Sequence, residues 1–229
     1  MGTVIMVTSG KGGTGKTSLT AGVSSCLAAL GRRVLCVDLD IGLRNLDIAL
    51  GLDDRAVMDF TDVMELRCPL LTAPLVLPEP DIQSFRQLMA EAREYFDYIF
   101  MDSPAGLGDG FQLAMAAADR VIVVSATDPA ALRDAQRTVA ELLPQVSEIH
   151  LVMNRVQPKL IRKLRTSIDE AMDTAGLPLL GIVPEDKQVM LAAGQGLPLV
   201  LYAHKDAARA YLNIAKRLMG AKVPLLRIH

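Results

Sequence analysis

Between Gly10 and Thr17 the chain reads Gly-Lys-Gly-Gly-Thr-Gly-Lys-Thr, a spacing of glycines, lysine and hydroxyl suited to holding phosphate. Gly10, Gly12, Gly13 and Gly15 have no Cβ and accept positive φ, so successive backbone N–H groups can turn inward as an anion cradle. Lys16 supplies a mobile positive charge for β- and γ-phosphates, and the Thr17 hydroxyl a ligand for Mg²⁺. Thr14 and Ser18 complete the stretch that would touch the phosphates. The chemistry implied is the binding of a nucleotide with its magnesium ion.

The flanking residues must place this loop correctly. Val4-Ile5-Met6-Val7 reads as a buried strand, and Ser18 to Leu30 carries apolar residues at helical spacing. A helix starting near Lys16 adds its unsatisfied N–H groups and the positive end of its dipole to the cradle. Gly31 is suited to end that helix, with Arg32 and Arg33 near its negative end. Lys11 is a second cation that the loop does not need for its own nucleotide. It is either free to reach phosphate from another direction, as an arginine finger does in trans, or a solvated surface lysine.

Further acids follow strands in the same way. Val34 to Val37 ends in Asp38 and Asp40, and Tyr98 to Met101 ends in Asp102, followed by Ser103-Pro-Ala-Gly106. Ligands in open α/β sheets bind at the carboxyl ends of strands. Asp38 and Asp40 there could bind metal, orient water or be solvated. Asp102 fits the Walker B role of supporting Mg²⁺ or its water, and Gly106 can bring its N–H close to the last phosphate. Two more strands are expected at Val121 to Val124 and Ile149 to Met153, the latter ending in Asn154-Arg155. An asparagine amide suits an adenine edge, though on the residues alone a polar turn residue after a strand is the commoner explanation. Leu179 to Val183 is another strand, before Pro184-Glu185-Asp186.

Elsewhere the pattern is coarser. Helices are expected at Val57 to Leu66, from a Ser84/Gln87 capping box to Tyr95, from Asp128-Pro129 to Leu143, and from Lys205 to Met219. Leu75 to Leu77 reads as a short strand. Lys159, Arg162, Lys163 and Arg165 share a helix with apolar residues and nearby acids, the pattern of a solvated face. The chain has 229 residues, 51% of them hydrophobic, enough for one α/β domain over 1–229. A net charge of −2 gives no general drive toward nucleic acid or anionic lipid. Three cysteines, at 26, 36 and 68, form no disulfide or zinc spacing, so Cys26 and Cys36 are expected as buried thiols. No apolar run approaches bilayer-spanning length, and a soluble, cytoplasmic protein is expected.

Lys11-Gly-Gly-Thr-Gly-Lys-Thr17 resembles the deviant Walker A motif of the ParA/MinD ATPases. Asp38-Leu-Asp40-Ile-Gly-Leu-Arg-Asn45-Leu-Asp47 and Asp102-Ser-Pro-Ala-Gly106 resemble the MinD branch, the division-site ATPases, more than the DNA-partitioning ParA branch. The resemblance spans about Met1 to Leu226. It implies a doubly wound, mostly parallel P-loop NTPase sheet of seven or eight strands in three α-β-α layers. It also implies ATP or ADP with Mg²⁺ as ligands and slow hydrolysis coupled to an ATP-dependent homodimer, acting in division-site placement. Asp40 would orient the attacking water, with Asp38 supporting the same region and Lys11 crossing to the partner's phosphates. Gly42 to Asp47 would form the first switch, with Arg44 and Asn45 toward a partner, and Ser103 to Gly108 the second. Asn154, Arg155, Pro184 and Asp186 would contact adenine or ribose. Partners similar to MinC and MinE follow from the same resemblance, as does weak or partner-dependent contact with the inner face of the membrane.

The sequence departs from that pattern in places. Gly108 stands where the branch has a glutamate, and Gln136 replaces the second of two acids, the first being Asp134. The region from Leu52 to Tyr95 is short. Beyond Met219 the usual basic amphipathic helix is missing: Pro224 interrupts, leaving Lys222, Leu225, Leu226 and Arg227 for interfacial contact. The main rival is a ParA-like ATPase for DNA or cargo segregation or polar positioning. The MinD-like run after Asp38 and the mildly acidic charge speak against nucleic-acid binding. A metabolic kinase or ligase would need an acceptor site that no constellation supplies. A third rival is a scaffold that binds nucleotide without hydrolysing it.

Overall fold

A computed structural model describes residues 1–40, 45–50, 52, 70–72, 81–157, 159 and 168–226. Seven parallel strands form one sheet in the order β3-β2-β4-β1-β5-β6-β7. They are β1 (Thr3–Thr8), β2 (Val34–Asp38), β3 (Leu70–Thr72), β4 (Tyr98–Asp102), β5 (Arg120–Ser125), β6 (Glu148–Val156) and β7 (Leu179–Pro184). The helices are α1 (Lys16–Ala29), α2 (Leu46–Leu50), α3 (Ile82–Tyr95), α4 (Asp109–Ala117), α5 (Pro129–Leu142), α6 (Ile168–Ala175), α7 (Lys187–Gly194), α8 (Leu199–Tyr202) and α9 (Asp206–Leu218).

Continuous apolar strands are what a parallel sheet covered on both faces requires. Val4 and Met6 of β1 enter a core with α3, α4, α5 and α6, while Ile5 and Val7 enter the opposite core with α1, α7, α8 and α9. β4 divides in the same way, with Ile99 and Met101 on the first side and Phe100 on the second. The expected three-layer, doubly wound architecture is therefore present. Because strand order reverses beside β1, the loops after β1, β2 and β4 leave the sheet at one edge, where ligands bind in such sheets.

Local chemistry sets the helix ends. Gly31, at φ 82°, turns the chain out of α1, its N–H donating to Ala28 (2.9 Å) and that of Arg32 to Leu27 (3.0 Å). Arg33 does not stay at the helix end but pairs with Asp97 at 3.1 Å. Asp128 caps α5 through Ala131 N–H at 3.0 Å, with Pro129 at the first helical position, as expected. α3 differs from expectation. Its cap is Asp81, whose carboxylate accepts from Gln83 N–H at 3.0 Å and from the Ser84 hydroxyl. A charged acceptor one turn earlier serves the helix dipole better than Ser84 does. Gln87 reaches Glu91 instead, at 3.2 Å.

The third strand is Leu70–Thr72, fixed by pairing with Cys36 to Asp38. The strand expected at 75–77 lies outside the described residues, as do the helix at 57–66, residues 42–44 of the first switch, Arg162, Lys163 and Arg165, and Arg227. Cys26 and Cys36 are buried. Residues 221–226 are not helical, consistent with Pro224. Among the described residues no helix is long and apolar enough to cross a membrane.

Candidate functional site: a phosphate loop at the sheet edge

Gly13 and Gly15 sit at φ 77° and 88°, the left-handed region that a side chain resists. Gly10 is needed for a different reason: a Cβ there would come within 2.3 Å of the Asp134 carbonyl. α5 thus packs directly on the loop, through the acid singled out beside Gln136. Gly12, Gly13, Gly15, Lys16, Thr17 and Ser18 line a cavity of about 1330 Å³. Asp40 and Asn45 reach it from the β2 side, Ala105 from the β4 side, and Asn154, Arg155, Pro184 and Asp186 from the far side. Residues distant in sequence therefore meet around one opening.

Beneath the loop, β2 and β4 pair so that Asp38 stands opposite Asp102. Asp102 is 2% exposed, and burial pushes its carboxyl up to about 7 against the pull of a Thr17 hydroxyl hydrogen bond. The Thr20 hydroxyl also donates to Asp102 Oδ1, at 3.4 Å. Burial lowers the Lys16 pKa, opposed by the charges of Asp102 and Asp40. These groups fit Mg²⁺: a hard hydroxyl oxygen beside a buried carboxylate that a divalent cation would stabilise in its ionised form. Among the described residues no three acidic, imidazole or thiol groups gather, so the remaining ligands would come from phosphate and water.

Asp38 is also buried, which raises its pKa. Its two oxygens accept from Asp40 N–H (3.0 Å) and Leu46 N–H (3.3 Å). It therefore ties Asp40 to the start of α2 and does not line the cavity, whereas Asp40 does. Gly106 is exposed at φ 94°, with its neighbour Ala105 at the cavity.

The residues expected at the base also have structural work. Asn154 is buried, and its amide donates to the Thr14 carbonyl at 2.8 Å and the Gly15 carbonyl at 3.4 Å. Arg155 donates to the Gly13 carbonyl at 3.2 Å and to Glu185 at 2.9 Å. Asp186 caps α7 through Gln188 N–H (2.9 Å) and holds Ala207 N–H (3.3 Å). Sequence reasoning missed Glu185, Asp206 and Tyr211, which join the same wall. Only proximity to the Pro184 loop hinted at the first; nothing in the sequence marked the other two.

Lys11 stands apart. It does not line the cavity, its side chain is 51% exposed, and its Nζ lies 3.9 Å from Asp128 Oδ1.

A strand, a glycine loop and a helix arranged as a phosphate cradle, with a buried acid at the end of the adjacent strand, define a phosphate-loop nucleotide-binding domain. Comparison with known proteins narrows the class. The family described as the CobQ/CobB/MinD/ParA nucleotide binding domain (CbiA) matches residues 5–199, and the chain belongs to that family. The septum site-determining protein MinD of Bacillus subtilis is 39% identical, over 98% of this chain and 92% of its own. The MinC:MinD cell division complex of Aquifex aeolicus contains a chain that superposes with a TM-score of 0.87 at 35% identity, covering 98% of each. The Pyrococcus horikoshii MinD complexed with Mg-ADP superposes at 0.81 with 28% identity, covering 97% of this chain and 100% of that one. The expected resemblance to the MinD branch is borne out.

Proposed function

We propose that this chain is an ATPase that dimerises face to face when it holds Mg-ATP, and that its slow hydrolysis works as a spatial switch in placing the division site. The observation that carries the reading is Lys11, a loop cation outside its own cavity and open to a neighbour. Lys16 neutralises the β- and γ-phosphates, and the loop N–H groups hold them. Thr17 and Asp102 hold Mg²⁺ and its water shell, and the ion supplies charge neutralisation on the phosphates. Asp40, at the cavity, orients the attacking water, while Asp38 fixes the segment carrying it through the Asp40 and Leu46 N–H groups. Lys11 crosses to the partner's phosphates, so two subunits are held only while the last phosphate is present. Gly106 places its N–H toward that phosphate as part of the second switch, and Asn154, Arg155, Pro184 and Asp186 form the base end.

The relatives named MinD support the cellular role, and the Aquifex MinC:MinD complex supports a MinC-like partner for this chain. A MinE-like activator and partner-dependent membrane contact complete the cycle. The test is phosphate release per subunit measured against protein concentration. A rate that rises with concentration and then saturates agrees with a dimer as the active species; a rate independent of concentration contradicts it.

A further inference from the structure

The acid expected at the base also holds backbone. Both oxygens of Asp186 accept backbone N–H groups, from Gln188 at 2.9 Å and Ala207 at 3.3 Å. The second of these bonds pins the start of α9 against the end of β7. The residue just before Ala207 is Asp206, which lines the same cavity and is exposed. Its carboxylate makes no hydrogen bond or ion pair among the described residues. Its backbone lies at φ 46°; among the described residues the only other non-glycine at positive φ is Arg155, at 55° and also at the cavity. Residues held in this region cluster where a site needs a side chain aimed one way.

The surroundings suit a flat aromatic ligand. Val189 and Met190 of α7 line the wall, together with Tyr211, whose ring lies on Gly22 of α1 where no Cβ could fit. A carboxylate at the edge of that wall can only accept, so it pairs with a donor on the base. Adenine offers its one exocyclic donor at the 6-position, whereas guanine has a carbonyl acceptor there and donors only at N1 and N2.

We propose that Asp206 is the base-selecting residue of this site, accepting from the exocyclic amino group of adenine; the assignment rests on the nucleotide reading above. The test measures nucleotide affinity by displacement of a fluorescent analogue, with ATP and with purine riboside triphosphate, which lacks the amino group. Asp206→Gly removes the carboxylate and relaxes at positive φ, so the fold is retained; Asp206→Asn serves as a second variant. The wild type should prefer ATP by about tenfold, the scale of one charged hydrogen bond. Asp206→Gly should lose that preference by weakening ATP alone. Equal weakening of both ligands, which would signal a ribose or structural role, overturns the assignment, as does no change in either. Normal ATP binding without ATP-driven dimers would instead contradict the switch reading and leave this one standing. Failure of the wild type to bind ATP would end both.

Discussion

Lys11 Nζ lies 3.9 Å from Asp128 Oδ1, and both side chains are about half exposed. The same carboxylate oxygen accepts the Ala131 N–H and caps α5. Asp128 is therefore held by its own helix, and Lys11 rests beside it without being locked. An exposed pair at that distance contributes at most about 1 kcal/mol, so the lysine can leave for a stronger partner. Asp128→Asn keeps the cap and removes the charge. ATP-dependent dimers should then tighten by a few fold at low salt, with the gain vanishing at high salt; sedimentation at two ionic strengths checks this. Weaker dimers would mean that Asp128 guides Lys11 rather than retaining it.

Asp102 links pH to stability. Its folded pKa is raised by burial to about 7, against an ordinary value of about 4. Between those values the folded state holds the extra proton, so this group's contribution to stability falls as pH rises from about 4 to about 7. Above that window the unliganded protein carries the full cost of a buried charge. Asp102→Asn should therefore melt a few degrees higher than wild type at pH 8, about 2–8 °C, and equal it near pH 4. The same variant should lose the stabilisation that Mg-nucleotide gives. Scanning calorimetry at both pH values, with and without ligand, provides both answers.

Asn154 acts on the loop it touches. Asn154→Ala leaves the buried Thr14 carbonyl without its 2.8 Å donor, a loss of about 1–3 kcal/mol. Urea midpoints should fall accordingly, and nucleotide affinity should fall with them because the cradle loosens. A variant as stable as wild type would show that the loop holds itself.

Gly22 tests the packing that positions α1. A Cβ there would meet the Tyr211 ring at 2.2 Å, and Tyr211 is itself buried in the core. Gly22→Ala should destabilise by about 1–3 kcal/mol. Gly22→Ala combined with Tyr211→Leu should recover part of that loss, as measured by urea denaturation.

Much of this site was legible because its parts are local. Gly10 to Thr17 carries its turn chemistry in consecutive residues, and Asp38, Asp40 and Asp102 each follow an apolar run that can only be a buried strand. Asp128-Pro129 announced its helix start in two residues. What the sequence concealed depends on packing between distant segments. Asp186 was expected at the base, and the structure adds that it caps α7 and holds the Ala207 N–H of α9. Asn154 was read against adenine, yet its donor end holds the phosphate loop, a contact spanning 140 residues. Asp206 has no local pattern at all; it comes to the cavity beside Ala207, whose N–H is held by Asp186. The cap of α3 fell on Asp81 rather than Ser84 because the helix begins a turn earlier, where Asp81 accepts the Gln83 N–H and the Ser84 hydroxyl.

Lys11 carries the proposed dimer. The most direct measurement is light scattering of wild type and Lys11→Ala, each with Mg-ATP and with Mg-ADP, alongside ATP affinity for single subunits. The expected result is a wild-type mass that doubles with ATP and not ADP, and a variant that binds ATP within about threefold of wild type yet stays monomeric. A Lys11→Ala protein that still doubles its mass with ATP would contradict a lysine acting across the interface.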